Sequence, residues 1–272
     1  MKKLLQLSVN ALPLAMRGWI KHIPVVAGSQ RWLVNRFLSS EPFTHTINAG
    51  PATGLRFEIT LPNDKAIWAG TFESEFSAAL HGGIRPGDIC YDIGSYRGYM
   101  SGIMALAGAG QVVACEPLPE NVAALQRFAK LNPALPVLIQ QIAIGESDGE
   151  VKFRIMPDLS MGKLATSAFQ IESAFEKELI VEMQRLDTLI FEKGYPRPDV
   201  IKIDVEGTEV DVLRGAKKTL GECRARVFLE VHSTALMEEC SQFLGSLDYR
   251  VWHLERELRG SEQTRHLVCE PY

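Results

Sequence analysis

Two pairs of ionisable side chains share one spacing late in the chain. Asp204 and Glu206 stand two residues apart in "KIDVEG", and Glu230 and His232 stand two apart in "FLEVHS". Side chains two positions apart on an extended strand point to the same face. Buried charges are costly without a partner, so clusters of this kind tend to be functional. We predict that the four groups meet at a site of proton transfer.

His232 is the first candidate for the proton acceptor, because an ordinary imidazole has a pKa of about 6.5. Asp204 or Glu206 could orient a hydroxyl or accept its proton instead. Structural roles stay open: Glu206 could cap the helical stretch that follows it, and His232 could be a satisfied polar residue. The four groups could also gather a divalent metal, since carboxylate oxygens and an imidazole are suitable ligands.

The elements that would position these groups form a wound α/β pattern. Short apolar segments alternate with helical stretches from residue 84 onward, which is typical of a mostly parallel sheet with helices on both faces. We predict helices at about 98–107, 119–131 and 207–220. The predicted strands are "DICYDI", "QVVACEP", "PVLIQQIAI", "VKFRIM", "LIVEMQRL", "DVIKIDV" and "RVFLEVH", with "YRVWHLE" and "RHLVCE" as a closing antiparallel pair.

Ligands in such sheets bind at the carboxyl ends of strands, so the turn after the first strand is the place to look. It reads "DIGSYRG", with Asp92, Gly94 and Gly98, and Ser95 lies in the gap between the glycines. This is not the G-x-G-x-x-G that cradles a pyrophosphate. An aspartate there suits a cationic ligand, and Glu116 in "ACEP" could accept hydrogen bonds from both hydroxyls of a ribose. Together they describe an adenosine with an aminoacyl tail, which is S-adenosylmethionine.

The motifs also occur in the order found in one known family. "GDICYDIGSYRGYMSGIMA", "VVACEPLPENVAALQ", "IAIGESDGEVKF", "RLDTLI", "DVIKIDVEGTEVDVLRGAKKTL" and "FLEVHS" resemble the FkbM family of class I methyltransferases over about residues 70–235. "KIDVEG" with the following "EVDVLRGA" is the most distinctive part. The resemblance implies a Rossmann-like class I methyltransferase fold and O-methylation of a sugar, glycolipid or secondary metabolite.

Site residues follow from the same resemblance. It implies that the glycine turn lines the cofactor, that Glu116 with the adjacent Pro117 holds the ribose, and that Ala143 and Ile144 border the adenine. Glu73 in "GTFESE" matches a glutamate that the family often places before the core. One departure is that Ser95, Tyr96 and Arg97 replace the usual small residues of the turn.

Three regions are expected along the chain. Residues 1–45 would be a basic amphipathic extension, 46–82 a lead-in strand and helix, and 83–272 the methyltransferase domain. No acidic residue precedes Glu41, so the extension could lie on an anionic membrane surface or pack on protein. The net charge of −4 argues against nucleic acid, and five cysteines without a CxxC pair favour a reducing compartment. We expect a cytoplasmic protein, in contact with the inner face of the membrane if the extension binds there.

Two other functions remain open at this stage. The unusual glycine turn would also suit a catalytically silent cofactor-binding or scaffold protein. An NAD-dependent oxidoreductase could use the same sheet, although the third glycine of its motif is missing. We expect the acceptor to contact the segment "RIMPDLSMGKLATSAFQIESAF" and the first 70 residues. The sequence does not identify the acceptor, and it leaves the oligomeric state open.

Overall fold

The computed structural model describes residues 41–155, 163–164, 177–254 and 265–272. The predicted helix of the N-terminal extension and most of the predicted acceptor segment lie outside the described residues. The strands, in chain order, are β1 (Phe43–Thr46), β2 (Arg56–Ile59), β3 (Ile89–Ile93), β4 (Gln111–Cys115), β5 (Val137–Gln140), β6 (Ala143–Ile144), β7 (Gly149–Ile155), β8 (Lys163–Leu164), β9 (Lys177–Gln184), β10 (Val200–Ile203), β11 (Arg226–Val231), β12 (Tyr249–His253) and β13 (Arg265–Pro271). The helices are α1 (Lys65–Ala69), α2 (Ser74–Gly82), α3 (Tyr99–Leu106), α4 (Pro119–Leu131), α5 (Leu186–Phe191), α6 (Glu209–Gly215), α7 (Lys217–Cys223) and α8 (Thr234–Gly245).

Seven strands form the main sheet in the order β12-β13-β11-β10-β3-β4-β5. β3 and β10 lie side by side at the centre, with Asp92 in register with Lys202. The neighbouring pairs from β5 to β11 are parallel, whereas β13 runs antiparallel to both β11 and β12. The chain winds outward through β4 and β5 before it crosses back to β10. The switch point, where such sheets bind ligands, therefore lies at the ends of β3 and β10.

Both faces of the main sheet are covered, which explains the continuous apolar runs of its central strands. Alternate residues of β4 and β10 enter different hydrophobic clusters: Val113 and Ile201 belong to one, and Val112 and Val200 to the other. Helices α5 to α8 supply the first cluster, and α2 to α4 with the lead-in residues supply the second. This is the Rossmann-like class I methyltransferase fold that the sequence predicts.

The lead-in segment forms an antiparallel hairpin of β1 and β2, followed by α1 and α2. β1 begins at Phe43, so the hairpin already includes the last residues of the predicted extension. None of the helices in the described ranges is both long and apolar enough to cross a membrane.

Two predicted elements are divided in the structure. "PVLIQQIAI" supplies β5 of the main sheet and β6 of a second sheet, whose order is β6-β9-β7-β8. The helix predicted over 207–220 is interrupted at Ala216 and becomes α6 and α7. Gly215 approaches the turn after β6 so closely that a Cβ atom there would lie 1.9 Å from the carbonyl oxygen of Gly145. Periodicity along one segment does not encode this contact.

Candidate functional site

The glycine turn leads from β3 into α3 and lies directly against the end of β10. Gly94 and Gly98 have φ angles of 77° and 90°, which favour glycine. A Cβ atom at Gly94 would lie 1.7 Å from the carbonyl oxygen of Asp204. At Gly98 it would lie 2.5 Å from Leu125 of α4. Gly94 is therefore required by its contact with the backbone of Asp204, and Gly98 by its packing against α4.

Asp92 precedes this turn and is fully buried. Its Oδ2 accepts a 2.5 Å hydrogen bond from Ser101, and its Oδ1 lies 3.1 Å from Nζ of Lys202. The carboxylate therefore braces β3 against α3 and β10. Asp92 and Gly98 lie behind the wall of the cavity described below, whereas Gly94 and Ser95 line it.

Glu116, at the end of β4, is buried and already holds the backbone around it. Its Oε2 accepts from the amide of Tyr96 at 2.9 Å, and its Oε1 accepts from the amide of Leu118 at 2.9 Å and from Asn121 at 3.2 Å. Burial raises its pKa to about 7, although these hydrogen bonds lower it. A carboxylate can accept about four hydrogen bonds, so acceptor capacity remains for a ligand hydroxyl.

The structure explains the bulky residue Arg97 in the turn. Its Nη1 donates to Asp64 at 2.8 Å, and its Nη2 donates to the carbonyl oxygen of Glu58 at 2.5 Å. The guanidinium also lies 5.5 Å from the centre of the Phe57 ring. Arg97 thus ties the glycine turn to the lead-in hairpin. Tyr96, with a φ of 48°, takes the left-handed conformation beside it.

A cavity of about 800 Å³ opens at these strand ends. Its walls come from the lead-in segment, the glycine turn, the end of β4, the second sheet and the ends of β10 and β11. The predicted site residues that line it are Glu73, Gly94, Ser95, Glu116, Pro117, Ala143, Ile144, Asp204, Glu206 and Glu230. The sequence therefore identified one continuous pocket, of a volume that small-molecule sites commonly have.

The predicted proton-transfer residues do converge, with His232 at their centre. Its Nε2 lies 3.4 Å from Glu206, 3.6 Å from Glu230 and 3.8 Å from Asp204. Its Nδ1 lies 2.6 Å from Oε1 of Glu209, a residue that the sequence analysis did not single out. His232 is buried and does not line the cavity, so the three predicted carboxylates stand between it and the pocket.

The protonation states of this cluster differ from ordinary ones. Burial lowers the pKa of His232, but the hydrogen bond with Glu209 and the charges of Asp204 and Glu206 outweigh it and raise the pKa to about 10. Burial raises the pKa of Glu206, the positive charge of His232 lowers it, and the charges of Asp204 and Glu230 raise it, with a net value of about 7. The imidazole is therefore a cation at neutral pH, and Glu206 titrates near neutrality.

Glu73 also faces this cluster from the start of α2. Burial, followed by the charges of Glu230 and Asp204, raises its pKa to about 8. Glu73 has a φ of 41° and Glu206 a φ of 55°, so both carboxylates stand on backbone that is strained for residues other than glycine. Strained backbone of this kind is concentrated at functional sites.

Sequence reasoning missed three residues of the site. Glu209 occupies the first turn of α6, where an acid is favourable, and its Oε1 accepts from the amide of Gly207 just before the helix. Lys202 was detectable as a charge within the apolar run of β10. His266 comes from β13, lies 3.4 Å from Glu230 and stacks on the Phe76 ring at 4.5 Å. The order of the strands, not a local motif, brings it there.

Within the part of the chain that the structure describes, two groups of side chains could hold a cation. Asp204, Glu230 and His232 each offer a ligand atom within 4.8 Å of the others, and Glu73, Glu230 and His266 form a second set of the same size. The first set contains three of the four residues predicted as metal ligands. Glu206 is the member that it omits.

Comparisons with known proteins find methyltransferases. The sequence model of the methyltransferase FkbM domain matches residues 92–251, which is more than half of the chain. The hexuronic acid methyltransferase AglP of Haloferax volcanii is 27% identical over 146 residues, covering 54% of this chain and 56% of that protein. The 31-O-demethyl-FK506 methyltransferase FkbM of Streptomyces tacrolimicus is 27% identical over 179 residues, covering 55% of this chain and 67% of that protein. The matched region thus spans little more than half of the length of AglP.

Solved structures of methyltransferases are similar in fold. A methyltransferase FkbM from Methylobacillus flagellatus has a TM-score of 0.49 at 18% identity, covering 71% of this chain and 50% of that chain. A precorrin-6y C5,15-methyltransferase from Geobacter metallireducens has a TM-score of 0.47 at 13% identity, covering 73% of this chain and 89% of that chain.

Proposed function

The chain belongs to the methyltransferase FkbM family, and from this premise we propose that it is an S-adenosylmethionine-dependent O-methyltransferase. The proposed acceptor is a hydroxyl group on a sugar, a glycolipid or a secondary metabolite. One observation carries the proposal: the glycine turn, Glu116 and the carboxylates of Asp204 and Glu206 line the same cavity. Family membership favours methyl transfer over the oxidoreductase alternative.

The residues of the turn fit this cofactor. Gly94 offers a surface without a side chain, and Glu116 retains acceptor capacity for the ribose hydroxyls. Ala143 and Ile144 supply apolar surface beside them for the adenine. The carboxylates at the ends of β10 and β11 suit the positive charge of a sulfonium and an ammonium group.

S-adenosylmethionine supplies a methyl group that is already activated for displacement, so the protein has to orient the acceptor oxygen and receive its proton. We assign proton acceptance to Glu206, whose pKa of about 7 suits a base at neutral pH. His232, with a pKa of about 10, is already protonated and cannot take this role. It holds Glu206 and Asp204 in place through its positive charge.

The names of the two relatives support the choice of acceptor class. One acts on hexuronic acid, and the other is described by an O-demethyl substrate. Both names are compatible with hydroxyl acceptors on small molecules or glycans, and the acceptor of this chain is proposed within that class.

Calorimetric titration tests the cofactor. We expect saturable binding of S-adenosylhomocysteine, no binding of NAD, and at least tenfold weaker S-adenosylhomocysteine binding by Glu116→Ala. Glu120→Ala is the matched control, because Glu120 is an exposed glutamate four residues further on, in the first turn of α4. If the unaltered protein binds no S-adenosylhomocysteine, the proposal fails and a silent scaffold becomes the better description.

Transfer of a radiolabelled methyl group tests the reaction. The panel should contain neutral glycosides, hexuronic acids and hydroxylated secondary metabolites, each with and without excess chelator. Label on an acceptor oxygen supports the proposal, and retention of full activity in chelator removes the metal alternative. Label on nitrogen or carbon alone would contradict O-methylation.

A further inference from the structure

Lys202 is the one charged residue of β10, whose four residues are all buried. It stands in register with Asp92 of β3 and Phe228 of β11, in the middle of the parallel sheet. Only 3% of its side chain is exposed. A buried ammonium group persists in such a position when surrounding acceptors compensate for the lost water.

Three acceptors from three segments surround the ammonium group. Nζ lies 3.1 Å from Oδ1 of Asp92, 2.9 Å from the carbonyl oxygen of Gly94 and 3.4 Å from Oδ2 of Asp204. Burial lowers the pKa of Lys202, but the charges of Asp92, Asp204 and Glu73 outweigh it and raise the pKa above the usual lysine range. The group is therefore a permanent cation at physiological pH.

Its three partners lie in two regions of the proposed active site, one for the cofactor and one for the acceptor. Asp92 lies in β3 just before the glycine turn and Gly94 lies in that turn, where the cofactor would bind. Asp204 stands with the carboxylates that face the acceptor. The backbone already joins these regions, because the amide of Asp204 donates to the carbonyl oxygen of Ile93 at 3.0 Å. The ammonium group of Lys202 adds an ionic contact between the same two segments. The strength of this contact depends on whether Asp204 is ionised.

We propose that Lys202 is a positioning residue that couples the cofactor turn to the acceptor-side carboxylates. The inference rests on the proposed cofactor. The ammonium group fixes the direction of the Gly94 carbonyl and holds the Asp204 carboxylate beside it. A change in charge or position at Asp204 is thereby transmitted to the turn, and binding at the turn is transmitted to Asp204.

The charged groups around Lys202 make the coupling measurable through pH. Asp92 from β3, Asp204 from β10, Glu116 from β4 and Glu73 from the start of α2 are the groups that interact with it. Lys202 lowers the pKa of Glu116, which must be ionised to accept from a ribose at full strength. Affinity for S-adenosylhomocysteine should rise with pH through the pKa of Glu116. Without the lysine this rise should occur at higher pH.

The first test titrates S-adenosylhomocysteine into Lys202→Met, Lys202→Arg and the control Lys130→Met, which alters an exposed lysine of α4. We expect at least tenfold weaker binding and an affinity midpoint at higher pH for Lys202→Met. Lys202→Arg should recover part of the affinity and the original midpoint, because it restores the charge. Lys130→Met should bind as the unaltered protein does.

Asp204→Asn supplies the evidence for coupling. In the presence of Lys202 it should change the affinity for S-adenosylhomocysteine at least threefold, and in the Lys202→Met protein the fold-change should be at most half as large, because only the direct attraction between Asp204 and the ammonium group of the ligand remains. An equal effect in both proteins would show that Asp204 acts on the ligand without Lys202, which overturns the proposal. Unchanged affinity and midpoint in Lys202→Met would also overturn it.

Lys202→Met leaves Asp92 as a buried carboxylate without its cation and could fail to fold. The pair Asp92→Asn with Lys202→Met removes both charges and should fold, as measured by thermal unfolding. It should bind at least fivefold more weakly than Asp92→Asn alone, because the links to Gly94 and Asp204 are lost. Equal binding by these two proteins contradicts the proposal. Failure of the proposed cofactor is a different result, in which the unaltered protein does not bind.

Discussion

Nδ1 of His232 lies 2.6 Å from Oε1 of Glu209, and both side chains are buried beneath the cavity. This contact joins the end of β11 to the first turn of α6. It also makes the imidazole a cation, which then stands behind the carboxylates that face the pocket. His232 therefore supports the wall of the cavity from behind, whereas Asp204, Glu206 and Glu230 line it.

Substitution of His232 should first affect stability. His232→Ala leaves Glu209 as a buried charge without its partner, so the free energy of unfolding should fall by about 3–5 kcal/mol. Urea unfolding at pH 7 measures this change. His253→Ala alters an exposed histidine and should change stability by less than about 0.5 kcal/mol. The pair Glu209→Gln with His232→Gln should recover part of the loss, and equal stability of His232→Ala and the unaltered protein would show that the contact is not stabilising.

The same contact gives a pH dependence of known sign. The pKa of His232 is raised in the folded protein to about 10, above its unfolded value of about 6.5. Its contribution to stability is therefore fully present below pH 6.5 and is lost as the pH rises toward 10. Unfolding experiments between pH 6.5 and 9.5 should show a decline that is smaller in the pair Glu209→Gln with His232→Gln. An equal decline in both proteins would assign the pH dependence to other groups.

Glu206 should determine the acidic limb of the rate profile. A base with a pKa of about 7 is active when ionised, so kcat/KM should rise with pH and level off above 7. Glu206→Gln should lower kcat about 10²–10⁴-fold and remove that inflection. Glu222→Gln, at an exposed carboxylate of α7, should leave both unchanged. The rates are measured with saturating S-adenosylmethionine, so that titration of Glu116 does not enter through cofactor binding. Because the pKa of Glu73 is about 8, an inflection that persists in Glu206→Gln would assign the base to Glu73.

Gly94→Ala should remove the cofactor site. The added Cβ atom would meet the Asp204 carbonyl at 1.7 Å, and neither backbone segment can yield without moving its strand. We expect at least a hundredfold loss of S-adenosylhomocysteine affinity, measured by calorimetry. Gly221→Ala is the control, because no atom lies within 4 Å of its added Cβ and alanine favours the helix by about 1 kcal/mol. Near-normal affinity of Gly94→Ala would contradict the assigned turn.

Arg97→Ala should release the lead-in hairpin from the glycine turn. The ion pair of Arg97 with Asp64 is largely buried, with side chains 18% and 10% exposed, so unfolding free energy should fall by about 1–3 kcal/mol. The pair of Arg127 with Glu58 is more exposed, at 51% and 36%, and Arg127→Ala should cost less than about 1 kcal/mol. Chemical unfolding compares the two variants directly. Equal losses would mean that burial does not distinguish the pairs.

The sequence predicts most of the architecture because apolar runs and their spacing report which faces are buried. It also predicts where Asp204, Glu116 and Glu230 meet, since parallel strands end at one edge of the sheet. Both predictions follow from the local pattern of apolar residues together with the assumption of a parallel wound sheet. The same reasoning correctly ties Gly94 to a special backbone position.

What the sequence does not reveal depends on contacts between distant segments. The raised pKa of His232 depends on the contact with Glu209 at 2.6 Å, and no spacing rule gives that distance. His266 reaches Glu230 only because β13 enters the sheet beside β11. Arg97 appears in the sequence only as a departure from the family's usual turn, and its hydrogen bond with Asp64 shows that it ties the turn to the lead-in segment.

The antiparallel insertion of β13 has a consequence for synthesis on the ribosome. β13 follows β12 in the chain but lies between β12 and β11, so β12 has no neighbour in the main sheet until β13 has emerged. His266, which stacks on Phe76 and faces Glu230, arrives with that same strand. A nascent chain that ends before β13 therefore has the glycine turn and Glu230, but Glu230 lacks the imidazole at 3.4 Å and Phe76 lacks the ring that stacks on it. The surroundings of this carboxylate are thus set only when β13 joins the sheet.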